Sequence, residues 1–104
     1  MTRQFDVFHN PSPQSRNTSP YVLVLQSHYV DAIDTAVIAP LVRREAMEPD
    51  GVLSLAVEVN NEAFTAAIAL IVNIQAKRLI SRVGNLRHYE DEIRRALERL
   101  FTGF

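Results

Sequence analysis

At 104 residues the chain is long enough for one domain with a core, near the lower end of comfortable stability alone. Its 11 basic and 12 acidic side chains nearly cancel, which argues against a nucleic-acid protein relying on a broad phosphate-binding face. Without cysteine, disulfides and thiolate chemistry are excluded, and a reducing cytoplasm is compatible. Met1 to Asp6 lacks the apolar run of a signal peptide, and the longest apolar run, Ala66 to Val72, is too short to span a bilayer. A soluble cytoplasmic protein with no membrane association is expected.

Gln4 to Phe8 alternates and predicts a short strand. His9 to Pro20 holds three prolines among Ser, Asn and Thr and predicts an exposed loop. Tyr21 to Gln26 is a continuous β-branched and aliphatic run, the mark of a strand buried on both faces. Ser27 to Asp34 predicts a connection, although Tyr29, Val30 and Ile33 sit within it. Thr35 to Ala39 predicts another strand, with Pro40 marking an edge or a strand end. Glu48-Pro49-Asp50-Gly51 predicts a turn, because Pro presets one dihedral and Gly accepts a positive one.

Val52 to Val59 and Glu62 to Ala66 predict paired strands, joined at Asn60-Asn61, where Asn tolerates the left-handed region a two-residue hairpin needs. Ala67 to Ala76 is ambiguous between strand and helix. From Asn85 onward, apolar residues at Leu86, Tyr89, Ile93, Ala96, Leu97, Leu100 and Phe101 fall in the steps of three and four that make one buried helical stripe. Asn85 can cap the first turn. Glu90, Asp91 and Glu92 precede Arg94, Arg95 and Arg99, the order the helix dipole favours, and Glu90–Arg94 and Asp91–Arg95 are i,i+4 pairs. Gly103 fits the left-handed residue that ends a helix. Phe104 beyond it either docks back on its own domain or faces a partner, and pattern alone favours docking back. Five or so strands and one long helix predict an α+β fold, mainly antiparallel.

The chemistry is sparse. His9, His28 and His88 have no partner at ligand spacing, so no metal is expected. Ser27-His28 adjacency says nothing of nucleophile–base geometry. Asp31 and Asp34 suit a turn better than paired acid–base work. Three glycines and no glycine-rich loop leave no phosphate cradle, and nothing calls for a cofactor. Lys77 onward carries seven basic against four acidic residues, read as a solvated helix face. The residues alone describe a binding module or subunit, not an enzyme.

Gln4 to Phe8, the Val24-Leu25-Gln26-Ser27 step, Val37 to Leu41 and above all Val83 to Gly103 together resemble the CcdB family, the toxins of CcdA–CcdB addiction modules on plasmids and chromosomes. Leu86, His88, Glu90, Ile93, Ala96, Phe101 and Gly103 stand where that family has the same residue. The likeness covers nearly the whole chain, with length differences around Pro11–Ser19 and Arg44–Gly51. It implies an antiparallel sheet related to an SH3-like barrel with a long C-terminal α-helix, assembled as a twofold homodimer. It also implies a non-enzymatic inhibitor that binds the DNA gyrase A subunit, traps it with cleaved DNA, and is stripped off by the disordered segment of a CcdA-like antitoxin. No direct nucleic-acid binding is implied.

Carried over by position, the gyrase contacts fall on Ser27, Tyr29 and Val30 in the loop and on Glu98, Phe101, Thr102, Gly103 and Phe104 at the helix end. Toxic members of the family end in Trp-Gly-Ile, where this chain has Thr102-Gly103-Phe104. The Trp stacks on a gyrase arginine, a contact of roughly 0.5–2 kcal/mol, and Thr102 has no ring. Glu98 replaces a neutral Asn, and Tyr29 replaces an aliphatic. Two readings follow: a gyrase poison whose Phe104 supplies the missing aromatic area, or a homologue with weak or no gyrase activity, kept for antitoxin binding and operon autoregulation or acting on another topoisomerase. MazF-type ribonucleases share the general barrel, but nothing here groups Arg and His into a cleft in sequence. Leu86, Ile93, Ala96 and Leu97 are expected in the helix-to-sheet core and Phe101 partly buried.

Overall fold

The continuous apolar run at Tyr21–Leu25 sits in the middle of a sheet because both of its faces are covered. A computed structural model describes residues 2–26 and 34–103. In chain order the strands are β1 (Asp6–His9), β2 (Tyr21–Val24), β3 (Thr35–Arg43), β4 (Ser54–Val59), β5 (Glu62–Ala67), β6 (Val72–Gln75) and β7 (Arg82–Asn85), followed by helix α1 (Glu90–Thr102). Single 3₁₀ turns occupy Ile68–Leu70, Ala76–Arg78 and Arg87–Tyr89. All pairings are antiparallel, in the order β4-β5-β3-β2-β1-β7, with β6 pairing β3 beside β5. The sheet curls into a half-barrel, an α+β fold with one C-terminal helix.

Period-two alternation sorts the side chains. Val7, Leu23, Leu25, Ala39 and Leu41 face the larger core with Leu55, Val57, Val59, Phe64 and Ile68, and α1 closes it with Ile93 and Ala96. The intervening Phe8, Val22, Val24, Ala36 and Ile38 face a second, smaller core capped by Leu79. Large residues such as Phe64, Leu23, Leu41 and Ile93 are wholly buried, each stabilising the fold by about 1.5–3 kcal/mol.

Five expectations are corrected. The first strand begins at Asp6 rather than Gln4, because Phe5 is held left-handed at φ 71°. Main-chain bonds from Phe5 N–H to the Val24 carbonyl and from Leu86 N–H to the Phe5 carbonyl, both 2.8 Å, fix that conformation, and the ring is buried. Pro40 does not end its strand. The Leu25 N–H bonds the Val37 carbonyl, so by antiparallel alternation the Pro40 nitrogen points away from β2. It points to the place where the second neighbour of β3 changes from β6 (Thr35–Ile38) to β5 (Leu41–Arg43), where no donor is needed.

Among the described residues the strand count rises to seven. β6 settles the ambiguous Ala67–Ala76 stretch as a 3₁₀ turn followed by a strand, and β7 carries too little apolar alternation to be read. Finally, α1 proper starts at Glu90, later than the stripe suggested. Asn85 is not the cap expected of it: Leu86 precedes the 3₁₀ turn and Tyr89 precedes α1, both without a side-chain cap bond, and Asn85 Oδ1 accepts instead from Arg87 N–H at 2.7 Å in a local turn. The Asn60-Asn61 hairpin forms as expected, with φ 52° and 65°.

Candidate functional site

The end of α1 combines four residues named from sequence. Ser27, Tyr29, Val30 and Phe104 lie outside the described residues. Three acids in the first turn and Arg99 in the last follow the dipole, and Arg94 Nε meets Glu90 at 2.8 Å. Asp91 and Arg95 form no ion pair, so only one of the two expected i,i+4 pairs exists. Gly103 adopts φ 80° and donates its N–H to the Arg99 carbonyl at 3.0 Å, stopping the helix as a left-handed cap.

Phe101 is 70% exposed, contrary to the partial burial expected from the stripe. Ile93 and Ala96 define the buried line, and Phe101 lies about 80° around the helix from Ile93 and about 140° from Ala96, outside the strip they cover. Leu97 and Leu100 stay half-buried against the core and anchor the turn beneath it. Glu98 is exposed. The Thr102 hydroxyl donates to the Glu98 carbonyl at 2.6 Å, so it is spent on its own helix. Among the described residues, the helix end presents one exposed aromatic ring beside a cap with no side chain.

A contact absent from the sequence reading holds this end in place. One terminal nitrogen of Arg99 donates to the carbonyls of Gly51 and Val52 at 3.4 and 3.3 Å. That loop is stiff because Asp50 Oδ1 accepts from the N–H groups of Val52, Leu53 and Ser54 at 2.7, 2.9 and 3.0 Å, while Asp50 N–H donates to Ser54 Oγ at 2.8 Å. Gly51 completes the turn at φ 76°. The Asp50 turn was legible in sequence; its docking under α1 was not. Val52, 49% exposed, adds apolar surface next to the Arg99 contact.

The main-chain donors of Val52, Ser54 and Leu53 lower the Asp50 carboxyl from its ordinary 3.8 to about 2. A carboxylate depressed in the folded state stabilises that state fully above pH 3.8 and loses the contribution as pH falls from 3.8 to about 2. Asp50→Asn is therefore expected to be less stable than the parent at neutral pH, with the two acid-unfolding curves converging across that window. Urea midpoints at several pH values measure this. An unchanging gap at all pH values would contradict the assignment.

Among the described residues no group of three or more His, Asp or Glu could hold a metal ion, and no helix is long and apolar enough to cross a membrane. The described residues form a curled antiparallel sheet with a C-terminal helix that ends beside an exposed aromatic. The family model for CcdB protein matches residues 4–103, and the chain belongs to the CcdB family. Membership suggests the toxin of a toxin–antitoxin pair. No curated protein matches the chain in sequence.

Proposed function

We propose that the chain is a single-domain cytoplasmic toxin that binds the DNA gyrase A subunit through the end of α1 and traps the enzyme with its DNA cleaved. It acts as an inhibitor rather than an enzyme, as a homodimer that brings two helix ends together, and a CcdA-like antitoxin neutralises it. The observation that carries this reading is the exposed Phe101 ring beside the left-handed Gly103, in a chain matched to CcdB over residues 4–103. Glu98, Phe101, Thr102 and Gly103 form the helix part of the contact; Ser27, Tyr29, Val30 and Phe104 are proposed as the rest. An exposed ring in a partner's pocket, ringed by residues that exclude water, is how a few side chains carry most of an interface's affinity.

A second reading has its own observation. Thr102 offers no ring where toxic members have Trp, and its hydroxyl is tied to Glu98. Such a chain would poison gyrase weakly or not at all and serve antitoxin binding and operon autoregulation. Incubating the protein with purified gyrase and supercoiled plasmid separates the two: linear DNA at micromolar protein supports the poison, and its absence supports the second reading. Thr102→Trp is expected to raise trapping about three- to thirtyfold, the effect of one added aromatic–cation contact.

A further inference from the structure

The proline-rich loop 10–20, read from sequence as an exposed connection, is fastened around a buried asparagine. Asn10 is 5% exposed. Its amide donates to Ser15 Oγ at 2.9 Å and to the Ser19 carbonyl at 2.7 Å, and its Oδ1 accepts from Ser12 N–H at 2.9 Å. Its own N–H donates to the Pro20 carbonyl at 2.9 Å. With every polar side-chain atom of Asn10 engaged, the loop presents the carbonyls of Asn10 and Pro11 in fixed positions.

Two arginines from distant parts of the chain are tethered to those consecutive carbonyls. Arg16 Nε donates to Asn10 O at 2.9 Å, and Arg78, from the turn after β6, donates one terminal nitrogen to Pro11 O at 3.4 Å. Neither has a carboxylate partner among the described residues, unlike Arg43, Arg82 and Arg94. Among the described residues, the remaining N–H groups of each fork have no partner. Both line a cleft of about 340 Å³ with His9, Ser81 and Ile80, and no acidic side chain borders it. His9 is placed by its ring contact with Tyr21, centroids 5.4 Å apart, and by its N–H bond to the Ser81 carbonyl at 3.0 Å.

We infer that this cleft binds the phosphate group of a small phosphorylated molecule. Two fixed guanidinium forks, an imidazole and a hydroxyl match a group carrying about −1.5 to −2 charge and three acceptor oxygens. A single carboxylate would leave one fork uncompensated. The near-neutral chain and the absence of a basic stripe argue against an extended polyanion. An apolar groove lined by Val22, Ile38, Pro40, Val72 and Ile74 shares Asn10, Pro11 and Arg78 with the cleft, leaving room for the body of the ligand beside its phosphate. This inference is independent of gyrase binding, since none of its residues belongs to the helix end.

The test is a ¹H–¹⁵N NMR titration of the full chain with inorganic phosphate, adenosine monophosphate, a short DNA duplex at equal phosphate concentration, and a glutamate-rich peptide. Saturable shifts at His9, Asn10, Ser81 and the side-chain Nε groups of Arg16 and Arg78, with the nucleotide tighter than phosphate, are expected. The double variant R16Q/R78Q, altered only at exposed side chains, is expected to weaken nucleotide binding by roughly a hundredfold, about tenfold for each lost charge-assisted fork. No saturation with phosphate or nucleotide at millimolar concentration, or unchanged binding by the double variant, overturns the site. Tighter binding of the duplex, or of the peptide, than of the nucleotide overturns the assignment to a small phosphorylated molecule.

Discussion

Phe101→Ala is expected to abolish growth arrest and to weaken binding to the gyrase A subunit about thirtyfold or more, the loss of 2 kcal/mol or more that a central aromatic contact carries. Stability should hardly change. The ring is 70% exposed and leaves no cavity, so the melting curve should stay within about 0.5 kcal/mol of the parent. That pairing of outcomes makes the experiment decisive. A variant that loses toxicity and stability together would show that the ring is structural. One that keeps full gyrase trapping would remove the helix end from the interface. Glu98→Ala, on the same exposed surface, tests whether the added charge hinders docking: if the carboxylate must be desolvated on binding, its removal tightens the complex.

The second large effect lies at the other end of the helix. Asp6 is buried at 1% exposure and serves three donors: Arg3 N–H at 2.9 Å, Arg82 Nε at 3.0 Å and the Asn85 amide at 2.9 Å. Asn85 in turn accepts from Arg87 N–H in the turn that leads into α1. Asp6→Ala leaves those donors without their acceptor, and should cost about 2–4 kcal/mol. The lower part of that range reflects Arg82, which is 55% exposed and can return to water. Urea unfolding measures the loss, and hydrogen exchange should show faster opening at Arg87–Tyr89, where the Asn85–Arg87 bond is loosened. A loss below about 1 kcal/mol would mean that the carboxylate behaves as a surface charge.

The two experiments together separate placement from contact. Asp6 and Asn85 set where α1 begins, Arg99 and the Asp50 turn set where it ends, and Phe101 stands on the result. Weakening either support should lower toxicity only as far as it lowers stability, whereas Phe101 should act on binding alone.

The strongest sequence signals were local and periodic, and they held. The strand read at Val52–Val59, which forms from Ser54 onward, the left-handed pair Asn60-Asn61, the stripe through Ile93 and Ala96, and Gly103 as terminator each depend on residues within a turn or a strand of one another. β7 escaped because Arg82–Asn85 buries almost nothing of its own and exists by pairing with β1. Of the two readings of Pro40, the edge held and the strand end did not: β3 runs on to Arg43, and the change of partner strand at Pro40 leaves its missing donor unneeded. Phe101 misled because spacing places a residue near a stripe without saying how wide a strip the sheet covers.

By itself, then, the sequence determined β1 to β5 and the helix, the turns at Asp50 and Asn60, the family likeness and the residues at the helix end. Tertiary structure alone decided what fixes that end and what surrounds the basic cleft. Arg99 reaches a carbonyl 47 positions away, Arg82 a carboxylate 76 away, Asn85 the same carboxylate 79 away, and Arg78 a carbonyl 67 away. No periodicity encodes such partners. They are chosen by where a curled sheet and a crossing helix happen to bring polar groups that must find hydrogen bonds once water is excluded.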